Sequence, residues 1–160
     1  MRISRSVALI GSFQFGISGP LDCHIYAVRG PAGAALIDAG AGTHSDRVLA
    51  NLRTDFETEV VDDLAITHCH LDPCGGAASL HQKTGCRVIV PEQSRAILEA
   101  ADEESAGLCA AREKVSTLLS IGFSPVRLIC ASETGTNSMP LACVLRGFTS
   151  VGTAPTPSAC

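Results

Sequence analysis

The chain has 160 residues, of which 46% are hydrophobic and 18% charged, and its formal net charge is −4. This length suits one domain with a buried core. The mild negative charge, without a cluster of lysines and arginines, argues against a surface for nucleic acid or for an anionic membrane. A small-molecule substrate is therefore the expected partner.

No stretch of the chain approaches the roughly 20 apolar residues that a membrane helix requires. The apolar run after the first six residues is too short for a secretory signal, so we expect a cytoplasmic protein. The eight cysteines are scattered, without the paired spacing of a zinc ribbon or a disulfide scaffold. Most of them are expected to be buried thiols.

Three strands are predicted in the first part of the chain, at Ser6 to Ile10, Cys23 to Val28 and Ala34 to Ile37. The segment from Arg29 to Gly33 contains two glycines and a proline, which is typical of a turn. The second and third strands are therefore expected to form an antiparallel hairpin.

A helix is expected after the hairpin, with Ser45 or Asp46 as its N-cap. A strand at Leu64 to Thr67 follows this crossover, and a helix then leads to a strand at Cys86 to Val90. Pro91-Glu92 is predicted to begin another helix. The apolar residues at helical spacing in the first helix are Val48, Leu49 and Leu52.

The pattern becomes weaker towards the end of the chain. Helix is predicted within Ser105 to Ser120, with Gly122 as a stop and a strand from Pro125 to Cys130. Residues 131–160 are rich in Ser, Thr, Gly and Pro. They are predicted to be a weakly specified tail with one or two short strands, at Leu141 to Leu145 and Gly147 to Val151.

The stretch from Thr67 to Gly76 carries the strongest functional pattern. His68 and His70 are two residues apart, so in an extended segment they project to the same side, and Asp72 continues that row. The apolar strand before them places this row at the end of a strand, where α/β proteins commonly locate their sites. The pattern predicts a metal site.

The residues after the histidines are expected to shape the backbone. Pro73 biases Asp72 away from helical geometry, and Gly75 and Gly76 allow a tight turn into the following helix. Cys69 and Cys74 flank the predicted ligands and could donate thiolates to zinc. The alternative, which we favour, is that Cys69 faces inward and Cys74 fills a small pocket.

The stretch from Thr67 to Gly76 resembles the Thr-His-x-His-x-Asp-His-x-Gly-Gly hallmark of metallo-β-lactamase-fold hydrolases. The segment Ala35 to Gly40 is similar to the family's strand-to-loop segment, which carries a buried acidic residue beside the metal cluster. The resemblance extends from about Ser6 to Val90. It implies an α/β fold that is half of an αββα sandwich, a mixed sheet with helices on one face, within residues 1–130.

By this resemblance, His68 and His70 would be two of the three histidines on the first metal. Asp72 would serve the second metal and orient the attacking water, with Asp38, Thr67 and Gly75 in supporting roles. The implied chemistry is hydrolysis of an ester, thioester or lactone by zinc-bound water, because zinc lowers the pKa of that water.

The chain also departs from the family pattern. Pro73 stands where the hallmark has its third histidine, and proline has no donor atom. The last histidine of the chain is His81, so the later histidine of the first metal site has no counterpart. Two histidines and one aspartate could hold one zinc ion at most.

These departures leave two main hypotheses open. The chain is either a divergent metal-dependent hydrolase, or an inactive, truncated remnant with weak or no metal binding that acts through protein association. In the second case, an exposed sheet face could pair two copies into a homodimer. A third, weaker interpretation makes Cys69 and Cys74 a redox or metal-sensing pair.

Overall fold

The computed structural model describes residues 1–114, 124–126 and 128–130. The predicted helix beyond residue 114, its stop at Gly122 and the tail from residue 131 onward lie outside these residues. None of the helices in the described part of the chain has the length and apolarity that crossing a membrane would require.

The described residues form one mixed sheet with short helices around it. The strands are β1 (Val7–Gly11), β2 (Ile25–Arg29), β3 (Ala34–Ile37), β4 (Val61–Ala65), β5 (Arg87–Val90) and β6 (Leu128–Cys130). The helices are α1 (Ser45–Phe56), α2 (Leu71–Cys74), α3 (Ala77–Thr84), α4 (Arg95–Ala100) and α5 (Leu108–Lys114), with a 3-10 turn at Glu92–Ser94.

The strands are arranged in the order in which they occur along the chain. β1, β2 and β3 are antiparallel neighbours, and β3, β4, β5 and β6 are parallel neighbours. The predicted hairpin and the crossover after it are both confirmed. Because β3, β4 and β5 are parallel, the loops that follow them leave the same edge of the sheet.

One face of the sheet carries the main core. A single row of paired residues crosses five strands, and each member is at most 1% exposed. The row packs in one cluster with buried residues of α1, α3 and α4. Each large aliphatic side chain in it contributes about 2 kcal/mol by leaving water. The row consists of Ala8, Ala27, Leu36, Leu64 and Val88.

The opposite face has a smaller buried cluster of Ala35, Ala65 and Ile89. The helices that contribute to the main core therefore cover one face, as the predicted half-sandwich requires. The α/β fold class is confirmed.

The predictions for the bounds of β4 and for the cap of α1 were wrong. The strand predicted at Leu64 to Thr67 begins at Val61 and ends at Ala65. Its start was hidden by Asp63, which is 2% exposed because it pairs with Arg87 across the sheet. Ser45 does not cap α1: it is the first helical residue, and its hydroxyl donates to the carbonyl of Gly42.

Candidate metal centre

The histidine pair lies just beyond the end of β4. Ile66 is buried, and its N–H donates to the carbonyl of Ile89 at 2.9 Å, so the sheet still holds the backbone at this point. The chain then emerges, and His68 and His70 are both exposed. Their ring centroids are 4.8 Å apart with an interplanar angle of 79°. The structure thus brings together the two imidazoles that the spacing predicted to be neighbours.

Thr67 connects His68 to Asp38 at the end of the neighbouring strand. The Thr67 N–H donates to Asp38 Oδ1 at 2.8 Å, and the Thr67 hydroxyl lies 2.9 and 3.0 Å from the two carboxylate oxygens. The Thr67 oxygen also lies 2.9 Å from His68 Nδ1. With Asp38 ionised, the single hydroxyl proton goes to its carboxylate, and the Thr67 oxygen then accepts a proton from His68 Nδ1. This contact leaves Nε2 of His68 as the atom with a free lone pair.

Asp38 is held in place by its backbone as well as by Thr67. Its N–H donates to the carbonyl of Ala65 at 2.8 Å, and its φ of 64° lies in the left-handed region, which aspartate tolerates better than most residues. Burial raises the pKa of Asp38, while the bonds from Thr67 and the charge of His68 lower it. A half-buried acid beside an imidazole is typical of a group that orients a metal ligand.

Asp72 does not continue the extended row of the two histidines. It is the second residue of α2, with His70 as the N-cap in extended conformation. The expectation that Pro73 keeps Asp72 out of a helix was wrong, because a proline in the first turn lacks only an N–H that needs no helical partner. Asp72 is exposed, and its charge raises the pKa of Asp38 and of the Cys74 thiol.

Gly75 and Gly76 form the turn between α2 and α3, as predicted, but it is the space around them that requires glycine. Both have ordinary right-handed helical conformations. A Cβ on Gly75 would lie 2.8 Å from the carbonyl oxygen of Ala41, and one on Gly76 would lie 2.2 Å from that of Ala39. The loop after β3 therefore packs directly on the backbone that follows the predicted ligands, and only glycine permits this approach.

Asp22 is a residue of this region that the sequence reasoning did not single out. It is 7% exposed, and its carboxylate accepts N–H bonds from Gly19 at 3.2 Å and from Ala41 at 3.0 Å. The signal that could have found it is an aspartate after Gly-Pro, where its side chain commonly accepts backbone bonds in a turn. The segment from Cys23 was instead assigned to a strand, which in fact begins at Ile25.

Two thiols near the candidate centre, those of Cys74 and Cys23, are not activated. The Cys74 thiol donates to the carbonyl of Cys69 at 3.3 Å, and burial raises the pKa of Cys74 to about 12. Burial and the charge of Asp38 likewise raise the pKa of Cys23 to about 12. A reactive or metal-sensing thiol requires a shift in the other direction. Cys74 is buried, as we favoured, whereas Cys69 is half-buried.

The remaining histidines of the chain make other contacts. His24 Nδ1 lies 3.0 Å from the Ser12 hydroxyl, and His44 Nδ1 lies 2.7 Å from the Thr43 hydroxyl. His81 Nδ1 donates to the carbonyl of Cys86 at 2.7 Å, at the start of β5 and so at the opposite edge of the sheet from the pair.

An open cavity of about 810 Å³ lies next to the candidate centre. Tyr26, Val28 and Ile37 form its apolar side, and Asp38 and Thr67 lie at its polar end. It is therefore open space into which a small molecule could extend from the histidine pair.

Among the residues that the structure describes, no three His, Cys, Asp or Glu side chains are grouped so that they could hold a metal ion. The structure brings His68 and His70 together, connects Thr67 and Asp38 to His68, and places Gly75 at the end of α2, against Ala41. The assignment of His68, His70 and Asp72 as metal ligands, and of Asp72 as a catalytic residue, stays a prediction.

Comparison with known proteins adds a family and a fold. The model of the metallo-beta-lactamase superfamily matches residues 18–127. The FEZ-1 metallo-beta-lactamase of Legionella gormanii is 17% identical over 81% of this chain and 44% of its own, with a TM-score of 0.60. A metallo-beta-lactamase of Cronobacter sakazakii with a HARLDQ motif is 22% identical over 81% and 46%, with a TM-score of 0.58.

These structures share a fold with this chain, which spans less than half of their length. No curated protein sequence matches it.

Proposed function

Because the chain belongs to the metallo-beta-lactamase superfamily, we propose that it is a metal-dependent hydrolase. In this proposal His68 and His70 bind one zinc ion, and the substrate is a small molecule with an ester, thioester or lactone bond. The observation that carries the proposal is the imidazole pair at 4.8 Å, with His68 Nδ1 bonded to Thr67. That bond keeps Nε2 available, and metal-binding histidines commonly have such a partner on the other ring nitrogen.

Each residue of the centre has a role in this proposal. Asp38 and Thr67 fix the ring of His68 and its tautomer. Asp72, an exposed residue two positions after His70, supplies the carboxylate that takes the proton of the attacking water and gives it to the leaving group. A zinc ion, when bound, would lower the pKa of water towards neutrality and polarise the carbonyl of the substrate.

A specific observation favours a second candidate, an inactive remnant that acts through protein association. Pro73 replaces a donor of the hallmark and is buried in α2, and the described residues include no group of three donors. Two imidazoles alone bind zinc weakly, since structural sites have four protein ligands and catalytic sites three. In that case association would involve the partly exposed part of the second sheet face, at Tyr26, Val28 and Ile37, and a second copy would be the partner.

The test combines zinc content with turnover of nitrophenyl esters, a thioester and a lactone. The proposal expects bound zinc and zinc-dependent turnover in the wild type, and loss of both in His70→Ala. His81→Ala is the matched control, because it removes an imidazole at the opposite edge of the sheet. Stoichiometric zinc in His70→Ala equal to that of the wild type would contradict the proposal.

The solution mass distinguishes the two candidates. A wild-type protein without zinc or turnover that is a dimer at micromolar concentration supports the remnant. A monomer with zinc-dependent turnover excludes it.

A further inference from the structure

The buried carboxylate of Asp22 bridges two loops of the chain. Its Oδ2 accepts the N–H of Gly19, in its own loop before β2, and its Oδ1 accepts the N–H of Ala41, in the loop after β3. A Cβ on Gly40 would lie 2.4 Å from Asp22 Oδ1, so the second loop passes as close to the carboxylate as glycine allows. Charge-assisted bonds of this kind are about twice as strong as neutral ones.

The loop that Asp22 holds is bonded in turn to the segment after the histidine pair. The N–H of Ala39 donates to the carbonyl of Pro73 at 2.7 Å, and the N–H of Gly76 donates to the carbonyl of Gly40 at 2.9 Å. Between Pro73 and Gly76 the loop also passes close to Gly75, at the carbonyl oxygen of Ala41. These contacts fix α2, whose N-cap is His70.

The same loop also determines where the Asp38 carboxylate lies. Asp38 and Gly40 both have a positive φ, of 64° and 69°. Backbone in this region is less stable for aspartate than for glycine, and it persists when surrounding contacts impose it. The bond from Ala41 to Asp22 is such a contact, one residue beyond Gly40.

We propose that Asp22 is a positioning residue for the candidate metal centre, because it holds the loop that places His70 through α2 and His68 through Asp38 and Thr67. The inference rests on the proposed function in so far as the centre binds zinc. Asp22 itself touches neither histidine among the contacts described. Its effect is on the positions of the two imidazoles and on the tautomer of His68 in the metal-free protein.

The experiment compares Asp22→Asn with Asp62→Asn, a change of an exposed aspartate near the start of β4. Asparagine has the size of aspartate but turns an NH₂ group towards one of the two N–H donors. Two quantities are measured for each folded protein. The first is the tautomer of His68 in the metal-free state, by ¹⁵N NMR, and the second is zinc affinity, by competition with a chelator.

In the wild type we expect one His68 tautomer, protonated at Nδ1. In Asp22→Asn we expect mixed tautomers and zinc affinity lower by about tenfold, with Asp62→Asn unchanged in both. A folded Asp22→Asn protein with the wild-type tautomer overturns the inference. If the wild-type protein shows the single tautomer but binds no zinc, the proposed function is overturned. The positioning role of Asp22 is then tested by the His68 tautomer in Asp22→Asn alone.

If Asp22→Asn does not fold, amide hydrogen exchange on the wild type replaces it. The inference requires the N–H groups of Ala41 and Gly76 to lose protection together as denaturant is raised below the unfolding transition. Exchange of Ala41 through a separate, smaller opening would overturn it.

Discussion

The carboxylate of Asp38 accepts both the N–H and the hydroxyl of Thr67, at 2.8 and 2.9 Å, across the gap between two neighbouring strands. With Asp38 ionised, this contact uses the only proton of the Thr67 hydroxyl, and His68 then donates to that oxygen. A residue that touches no metal thereby determines which nitrogen of His68 can bind one. The relationship connects the loop after β3 to the candidate centre and gives the first testable consequence.

Replacing Thr67 by valine should weaken zinc binding without unfolding the protein. Valine keeps the shape and the N–H bond to Asp38 but removes the hydroxyl that fixes His68. We expect zinc affinity to fall between about tenfold and a hundredfold, which is the usual effect of replacing a residue that hydrogen-bonds to a metal ligand. Chelator competition measures it.

Two companion variants sharpen this prediction. Thr67→Ser keeps the hydroxyl and should restore most of the affinity. Thr54→Val removes a hydroxyl that donates to Ala50 on the surface of α1 and should have no effect. Equal affinity in Thr67→Val and Thr54→Val would show that the hydroxyl does not organise the centre.

Gly76 should be intolerant of a side chain although its conformation suits one. Its φ of −81° is ordinary for alanine, but the new Cβ would lie 2.2 Å from the carbonyl oxygen of Ala39. We expect Gly76→Ala to reduce the free energy of unfolding by about 2 kcal/mol, measured by urea titration.

Gly85→Ala is the comparison, because Gly85 has a φ of +73° and open space around it. That substitution should cost about 1 kcal/mol through backbone strain alone. A Gly76→Ala protein more stable than Gly85→Ala would mean that the loop after β3 does not pack on Gly76 as described.

Cys74 and Cys23 should resist alkylation at pH 8. With a pKa of about 12 for each thiol, only ~1 in 10,000 molecules carries the thiolate, which is the reacting form. Cys109 is exposed and should react first with iodoacetamide. Peptide mass spectrometry after timed labelling identifies each site.

The raised pKa of these thiols also determines the direction in which stability changes with pH. A folded pKa above the unfolded value makes the folded state hold its proton more tightly, so stability falls as the pH rises above the ordinary thiol pKa.

Labelling of Cys74 as fast as that of Cys109 would support the redox interpretation of the Cys69 and Cys74 pair.

The ion pair between Arg87 and Asp63 should contribute more to the stability of the fold than an ordinary surface pair does, although Arg87 is partly exposed. Asp63 has a side-chain exposure of 3%, and Arg87 donates to its Oδ1 through Nε and Nη2, at 2.8 and 2.7 Å. Arg87→Ala leaves a buried carboxylate without its cation and should cost about 2 kcal/mol, less than a fully buried pair because Arg87 is 43% exposed.

Asp63→Leu combined with Arg87→Leu should recover most of that stability. If the double variant is no more stable than Arg87→Ala in urea titration, the loss does not come from the unpaired charge.

The sequence predicted the hairpin and the histidine pair because both depend on local patterns. Hydrophobic alternation and turn residues specify the hairpin, and a spacing of two in extended backbone places His68 beside His70. The start of β4 was missed, since Asp63 is buried only through its long-range partner Arg87. Periodicity cannot show a charge that is neutralised from another strand.

What was missed around the candidate centre has a similar origin. Gly75 and Gly76 do form a turn, as predicted, but the reason that both are glycine is a loop that lies over thirty residues earlier in the chain. Asp22 was overlooked because its importance comes from Ala41, a contact that no short window of sequence contains. Local patterns locate donor atoms, whereas tertiary contacts determine how firmly they are held.

The proposed function depends above all on whether His68 and His70 bind one zinc ion. X-ray absorption on protein loaded with one equivalent of zinc tests it most directly. We predict a first shell that contains two imidazole nitrogens at about 2.0 Å, with one imidazole lost in His70→Ala and none in His81→Ala. A shell without imidazole, or one that is unchanged in His70→Ala, would contradict the proposed function.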